Sequence, residues 1–532
     1  MAILITAPGT LRTEALTEAN ESKTIVSKWI DAITTEVANG NVKSEGGLTG
    51  PTVSARLYSM IGTAAYEAWQ ATDVQSKSSI GLGSVNESFS GEKLDTLISA
   101  TILKVAELDS SGITEEGLKN LRDLAITEEA INLRAFNNFP DFRANERIDK
   151  VSSSIAAAIG ELYGADGYDS PQAYTPINSG PDNVINIEKW TPEYNSSGNA
   201  NYGLQAYLTP QWGELTPFAI SKDALSDITE KAKTPESFLL RESDSYNLAQ
   251  GTITDGLTGQ TLDIDKSLIG TYINPKFIQQ TEAVIGWGQQ LTNDNQGSIN
   301  KATAEFWEDG EGTPFPPGTW LVIGQAVSLN NRYGVGEDAK LFQGLGAALH
   351  ASAISAWDLK LQENYARPVR TIRELSRLGL LTDEDGDVEN GSQFRAFNRE
   401  TGSIDLISGV DFQTYQLPEG GYSPPFPEYT SGHSTFSSSA AEFLELFTGT
   451  MEFPSSIKME LTFPYPNDRG EVVLNYDTFE DAAAAAGRSR LFGGIHFEDG
   501  NTFGQIVGEQ IGSTIYENLS SIWDLNLWVQ HS

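Results

Sequence analysis

Residues 57–68 read Leu57-Tyr58-Ser59-Met60-Ile61-Gly62-Thr63-Ala64-Ala65-Tyr66-Glu67-Ala68, and their spacing decides the fold class. Leu57, Met60, Ile61, Ala64 and Ala68 recur at helical intervals, which puts them on one face of an α-helix. Two further stripes follow the same rule: Leu118, Leu121, Leu124, Ala125 and Ile131, then Phe503, Ile506, Val507, Ile511, Ile515 and Leu519. Helices are also expected near 22–38, 92–107, 147–163, 276–292, 317–330, 338–366, 434–448 and 475–492. Sustained apolar–polar alternation, the mark of half-buried strands, is almost absent.

Between about 164 and 270 the chain turns rich in Gly, Pro, Asn, Ser and Thr. So long an irregular stretch usually covers a surface or builds the entrance to a site. The expectation is an all-α protein: a large helical domain built on two four-helix bundles with long irregular loops. Its parts would be an N-terminal helical half (1–164), a loop-rich connector (165–270) and a C-terminal helical bundle (271–532) carrying the site.

Composition narrows the function. The chain has 532 residues, 39% hydrophobic, enough for a real core. Its formal charge of −37 opposes binding to nucleic acid, anionic membranes or acidic polymers. With no cysteine, zinc-thiolate sites, iron–sulfur clusters and thiol nucleophiles are excluded. Only four methionines occur, which would suit an enzyme releasing a strong oxidant and equally fits compositional drift. The N-terminus lacks the basic and apolar regions of a secretory signal, and no apolar run reaches membrane-spanning length. The expectation is a soluble protein, cytoplasmic or exported by a leaderless route.

In this acidic background three short segments gather cations and imidazoles. Trp357, Lys360, Asn364 and Arg367 are spaced three, four and three apart, as along one helix face, and Pro368 should end that helix at Arg367. The run Pro424-Pro425-Phe426-Pro427-Glu428-Tyr429-Thr430-Ser431-Gly432-His433 leads into an apolar helical stretch. Ser431 or a neighbour could cap that helix, leaving free N–H groups for an anion, with Gly432 admitting close approach and His433 at its edge. In Gly487-Arg488-Ser489-Arg490-Leu491-Phe492-Gly493-Gly494-Ile495-His496 the paired glycines should break a helix and fold His496 back toward Arg490. Two of the chain's four histidines lie in these segments. Three cations, a hydroxyl, free N–H groups and two imidazoles are what an oxyanion-dependent enzyme needs.

Together the segments resemble the signature shared by vanadium-dependent haloperoxidases and class A bacterial acid phosphatases. Trp357, the run 424–429, Phe306-Trp307-Glu308-Asp309 and Pro316-Pro317-Gly318-Thr319-Trp320 resemble the bacterial haloperoxidases. Pro210-Gln211-Trp212-Gly213 with Pro217-Phe218, and Arg56 with Tyr66-Glu67-Ala68, do so more weakly. The resemblance implies vanadate as cofactor, with His496 binding vanadium and Lys360, Arg367, Arg490, Ser431 and the Gly432 N–H holding its oxygens. It implies that His433 takes a proton from hydrogen peroxide and that Lys360 polarises the bound oxidant for halide attack. Hypohalous acid would then halogenate small organic acceptors. Trp357 and Phe426 would wall the halide pocket, and Asp309 would support the arginines from behind. Bromide and iodide are the expected halides, with chloride left open, and a dimer or larger homo-oligomer is the expected assembly.

The rival within the resemblance is an acid phosphatase using His496 as phosphoryl acceptor. A non-enzymatic oxyanion binder is a second rival, but it would have no need of two histidines at the anion. Asp383-Glu384-Asp385-Gly386-Asp387 has acidic spacing, yet its glycine is misplaced for an EF-hand, so a solvated turn is expected there.

Overall fold

Helix α1 (Ile25–Ala38) starts at Thr24, whose side chain accepts from the Ser27 N–H. In the computed structural model, residues 3–6, 23–43, 49–73, 75–82, 89–126, 142–170, 173–195, 201, 203–384, 391–417, 421–462 and 471–523 are described. Helices α2 (Pro51–Gln70), α3 (Glu92–Ala106), α4 (Glu115–Ile126) and α5 (Phe142–Gly164) follow. The far end of the expected 118–131 stripe, at Ile131, lies outside the described residues. α1, α2, α3 and α5 pack on one another as the first helical group.

The remaining helices are α6 (Lys222–Thr229), α7 (Pro275–Gly288), α8 (Asn295–Phe306), α9 (Phe315–Asn331), α10 (Val335–Glu363), α11 (Pro368–Arg377), α12 (Gly432–Thr448), α13 (Phe479–Phe492) and α14 (Glu498–Trp523). α10, α12, α13 and α14 form the second group, and α10 also lies along α2. That last contact joins the groups through glycine. A Cβ on Gly62 of α2 would collide with the backbone of Phe342 in α10, and one on Gly346 of α10 with the backbone of Tyr58 in α2. The helices can therefore pack backbone to backbone, with Leu57, Met60, Ile61, Ala64 and Ala68 all buried beside the seam. The mostly helical fold read from the spacing is the one observed.

Strands are short and peripheral. β1 (Ile3–Thr6) pairs parallel with β7 (Ser455–Glu460), which pairs antiparallel with β8 (Glu471–Asn475), Ile457 opposite Leu474. β2 (Ser245–Asn247), β3 (Thr252–Thr254) and β4 (Thr261–Asp263) form an antiparallel sheet, and β5 (Gln393–Asn398) pairs with β6 (Ser403–Ser408). The helix expected from 475 begins at Phe479, because Thr478 and Asp481 close a capping box there.

The 165–270 stretch is less irregular than its composition suggests, since it holds α6 and the β2–β4 sheet. Its Trp190, Tyr207, Leu208 and Trp212 are buried in the main core. Its backbone also meets the run before Ser431: Leu208 N–H donates to Pro425 O at 3.0 Å, and Gln205 donates to Ser423 O at 2.8 Å. No described helix is long and apolar enough to cross a membrane.

Candidate active site: a buried cation cage

Lys360 lies in the last turn of α10, fully buried. The helix stops three residues later, where Asn364 turns left-handed (φ 47°) and its N–H returns to Lys360 O. Asn364 thus leaves the shared face expected of it, and its side chain accepts from the Tyr174 hydroxyl instead. Arg367 is outside α10 altogether: it is the extended N-cap of α11, with Pro368 opening that helix.

Both cations hold the turn 426–430. Lys360 Nζ donates to the carbonyls of Pro427 (3.0 Å), Glu428 (2.9 Å) and Thr430 (2.5 Å), which uses all three ammonium hydrogens. Arg367 donates from Nε to Phe426 O (3.0 Å), from Nη2 to Pro427 O (3.3 Å) and from Nη1 to Ile495 O (2.8 Å). Its Nη1 also lies 3.0 Å from His496 Nε2. The Phe426 ring packs tilted against Trp357, centroids 4.8 Å apart, and sits 5.2 Å from both Lys360 Nζ and the Arg367 guanidinium. Trp357 is fixed by donating to Leu208 O at 3.0 Å.

Ser431 caps α12, its Oγ accepting from the Ser434 N–H at 3.3 Å. Among the described residues the Gly432 and His433 N–H groups find no acceptor, so the helix start keeps free donors. His433 donates from its ring to the Glu308 carbonyl, while its Nε2 is buried without a partner. Burial, then the Arg490 charge, holds its pKa well below the usual imidazole range, so it is neutral.

Arg490 comes from the last turn of α13, which ends at Gly493 as the paired glycines implied. Its Nη1 donates to Trp307 O (3.0 Å) and Glu308 O (3.2 Å), and its Nε is buried unpartnered. Asp309 makes no ion pair with it. The carboxylate accepts from Thr319 Oγ1 at 2.8 Å and acts on Arg490 through space.

One functional residue escaped the sequence reading. Glu428 is fully buried, and its Oε1 lies 2.5 Å from His496 Nδ1 and accepts from the Phe497 N–H at 3.1 Å. The available signal was a lone acid inside an apolar, proline-rich run immediately before Ser431-Gly432-His433.

An oxyanion fits this chemistry. Three cations stand 0%, 1% and 2% exposed, and burial depresses all three, Arg367 to about 9 and Arg490 to about 10. Such groups favour an anion among them. Arg490 Nε and the two free N–H groups supply donors that the protein leaves open. Among the described residues no cluster of three or more His, Asp or Glu could hold a metal cation. The acidic 383–387 turn lies partly outside the described residues; Asp383 and Glu384 there accept from backbone N–H groups.

Fold and site thus define a two-bundle helical protein with a buried cage of three cations. Residues 340–525 match the family described as the VCPO second helical-bundle domain. No curated protein matches the sequence. Two solved structures share the fold at low identity. The holo-type bacterial vanadium-dependent chloroperoxidase aligns with TM-score 0.65 and 16% identity, over 90% of this chain and 94% of that one. A bacterial vanadium-dependent iodoperoxidase aligns with TM-score 0.62 and 18% identity, over 96% and 98%. The resemblance read from the three motifs therefore stands, on the family match and on the fold.

Proposed function

We propose that the protein is a vanadium-dependent haloperoxidase that oxidises bromide and iodide, with chloride within reach, using hydrogen peroxide. The observation that carries the reading is His496, whose Nε2 lies 3.0 Å from Arg367 Nη1 and whose ring feels the buried charges of Arg367, Lys360 and Arg490. His496 would bind vanadium, with Arg490, Arg367, Ser431 and the Gly432 N–H balancing the oxygens. Bound vanadate would act as a Lewis acid toward hydrogen peroxide without changing oxidation state.

Neutral His433, with Nε2 unpartnered, is ready to take the peroxide proton at that atom. Lys360 contributes its charge from 5.2 Å behind the Phe426 ring and holds the 426–430 turn in place. Trp357 and Phe426 wall the halide approach and keep water away from the cations. Hypohalous acid leaves and halogenates small organic acceptors.

In this reading the site belongs to a C-terminal unit (271–532), covered by the connector 165–270 and backed by the N-terminal half 1–164, in a dimer or larger assembly. The test is bromination of monochlorodimedone by vanadate-stripped protein. Activity that requires orthovanadate, hydrogen peroxide and bromide together is the expected result, and chloride and iodide series rank the halides. Hydrolysis of p-nitrophenyl phosphate without bromination would replace this reading with the phosphatase.

A further inference from the structure

We propose that Glu428 is a positioning residue which, admitted by Gly500, fixes His496 as its Nδ1–H tautomer and leaves Nε2 as the lone-pair donor in the cage. The proposal deepens the haloperoxidase reading and rests on it only where vanadate is concerned.

The two contacts of the His496 ring select one tautomer from opposite sides. Oε1 of Glu428 accepts the Phe497 N–H and, as a carboxylate or with any proton on the unpartnered Oε2, presents a lone pair to Nδ1. Arg367 Nη1, at 3.0 Å from Nε2, is a guanidinium donor and cannot accept. The opposite tautomer would set an N–H against a guanidinium N–H and leave a buried Nδ1 lone pair facing a carboxylate. Each mismatch leaves a buried polar group without a partner, which a buried site penalises. A carboxylate on the far nitrogen of a metal-binding histidine both orients the ring and raises its basicity.

The surroundings are built to hold Glu428 there. Its own carbonyl accepts from Lys360, its N–H donates to Tyr365 O at 3.0 Å, and the carbonyl of Pro427 before it accepts from both Lys360 and Arg367. Gly500, in the first turn of α14, supplies the space: a Cβ there would lie closer than 3.0 Å to the Glu428 carboxylate. Gly500 O also accepts from the Ser431 N–H at 2.9 Å, so one short segment seats both the histidine's partner and the α12 cap.

The experiment uses full-length protein labelled with 15N-histidine, free of vanadate, with His496→Gln identifying the His496 signals among the four histidines. Long-range 1H–15N spectra should show wild-type His496 protonated at Nδ1 and unprotonated at Nε2. Glu428→Ala and Gly500→Ala should each lose that pattern, and Glu428→Gln, which keeps an acceptor oxygen, should retain it. Equilibrium dialysis against orthovanadate should show affinity falling roughly 10–100-fold in the two alanine variants and much less in Glu428→Gln. Thermal melts confirm that the variants fold. Retention of the Nδ1–H pattern in both alanine variants overturns the proposal, as does orthovanadate affinity within about twofold of wild type. If wild-type protein binds no orthovanadate, the haloperoxidase reading fails, and the tautomer spectra alone decide the role of Glu428.

Discussion

Arg367 Nη1 and His496 Nε2 face each other at 3.0 Å although 129 residues separate them. The contact exists because Arg367 caps α11 while His496 follows the Gly493-Gly494 break after α13. A cation held against an imidazole lone pair suppresses protonation there, and burial followed by the Arg367 charge pushes His496 well below its ordinary pKa. The ring therefore stays neutral, which is the form that can bind a metal.

The two histidines should separate binding from turnover. His496→Ala removes the only imidazole lone pair shown facing Arg367, so orthovanadate affinity in equilibrium dialysis should drop by about 100-fold or more. His433→Ala removes a group whose Nε2 has no structural partner, so affinity should stay within a few-fold. Its kcat should nevertheless fall by about 10²–10⁴, the usual contribution of a general base. Equal loss of affinity in both variants would contradict this division.

Asp309 gives a pH-dependent prediction. Burial raises its carboxyl to about 7 from an ordinary 3.8. A raised carboxyl binds its proton more tightly folded than unfolded, so stability falls as pH rises from about 4 to about 7. Asp309→Asn keeps an oxygen for Thr319 and removes the titration. Urea unfolding should show the variant more stable than wild type at pH 8, by on the order of 1–4 kcal/mol, with the difference vanishing near pH 4. An unchanged difference across that range would mean that Asp309 is ionised throughout.

Much of this was legible in the chain. Helical stripes such as Leu57 to Ala68 mark helices because a buried face must repeat at the helical period. The three motifs could be joined because cations are scarce in an acidic sequence and two of four histidines fell beside them. What stayed hidden depends on contacts across the fold. Glu428 gains meaning only from His496, 68 residues away, and from the space left by Gly500. The end of α10 at Asn364 rests on one left-handed residue that periodicity does not register. Strands of three to six residues at the periphery are too short to show alternation.

Lys360 should prove structural as well as catalytic. Lys360→Met would fill similar volume but strand the carbonyls of Glu428 and Thr430 without donors and leave Pro427 O only the Arg367 Nη2 contact. Each buried orphan costs about 1–3 kcal/mol, so urea unfolding should register a loss of roughly 2 kcal/mol or more. Orthovanadate affinity should fall with it, because the same turn carries Glu428 and leads into Ser431. A variant of wild-type stability would show that the turn is held by other contacts.

Gly504, Gly508 and Gly512 recur every four residues along α14, facing the backbone carbonyls of Ser431, Thr435 and Ser439 in α12. A Cβ at any of the three would lie closer than 3.0 Å to that backbone, which cannot yield as a flexible side chain could. Alanine favours helix over glycine by about 1 kcal/mol, so a substitution free of contact would stabilise α14. Here overpacking should win, at about 1–3 kcal/mol, and Gly508→Ala should lower the urea midpoint. Because α12 begins at the Ser431 cap, the displacement would move the free N–H groups of Gly432 and His433 away from the cations. Gly508→Ala should therefore weaken orthovanadate binding from a position remote in sequence from every cage residue except His496, whereas Gly288→Ala, with open space around its Cβ, should leave binding unchanged.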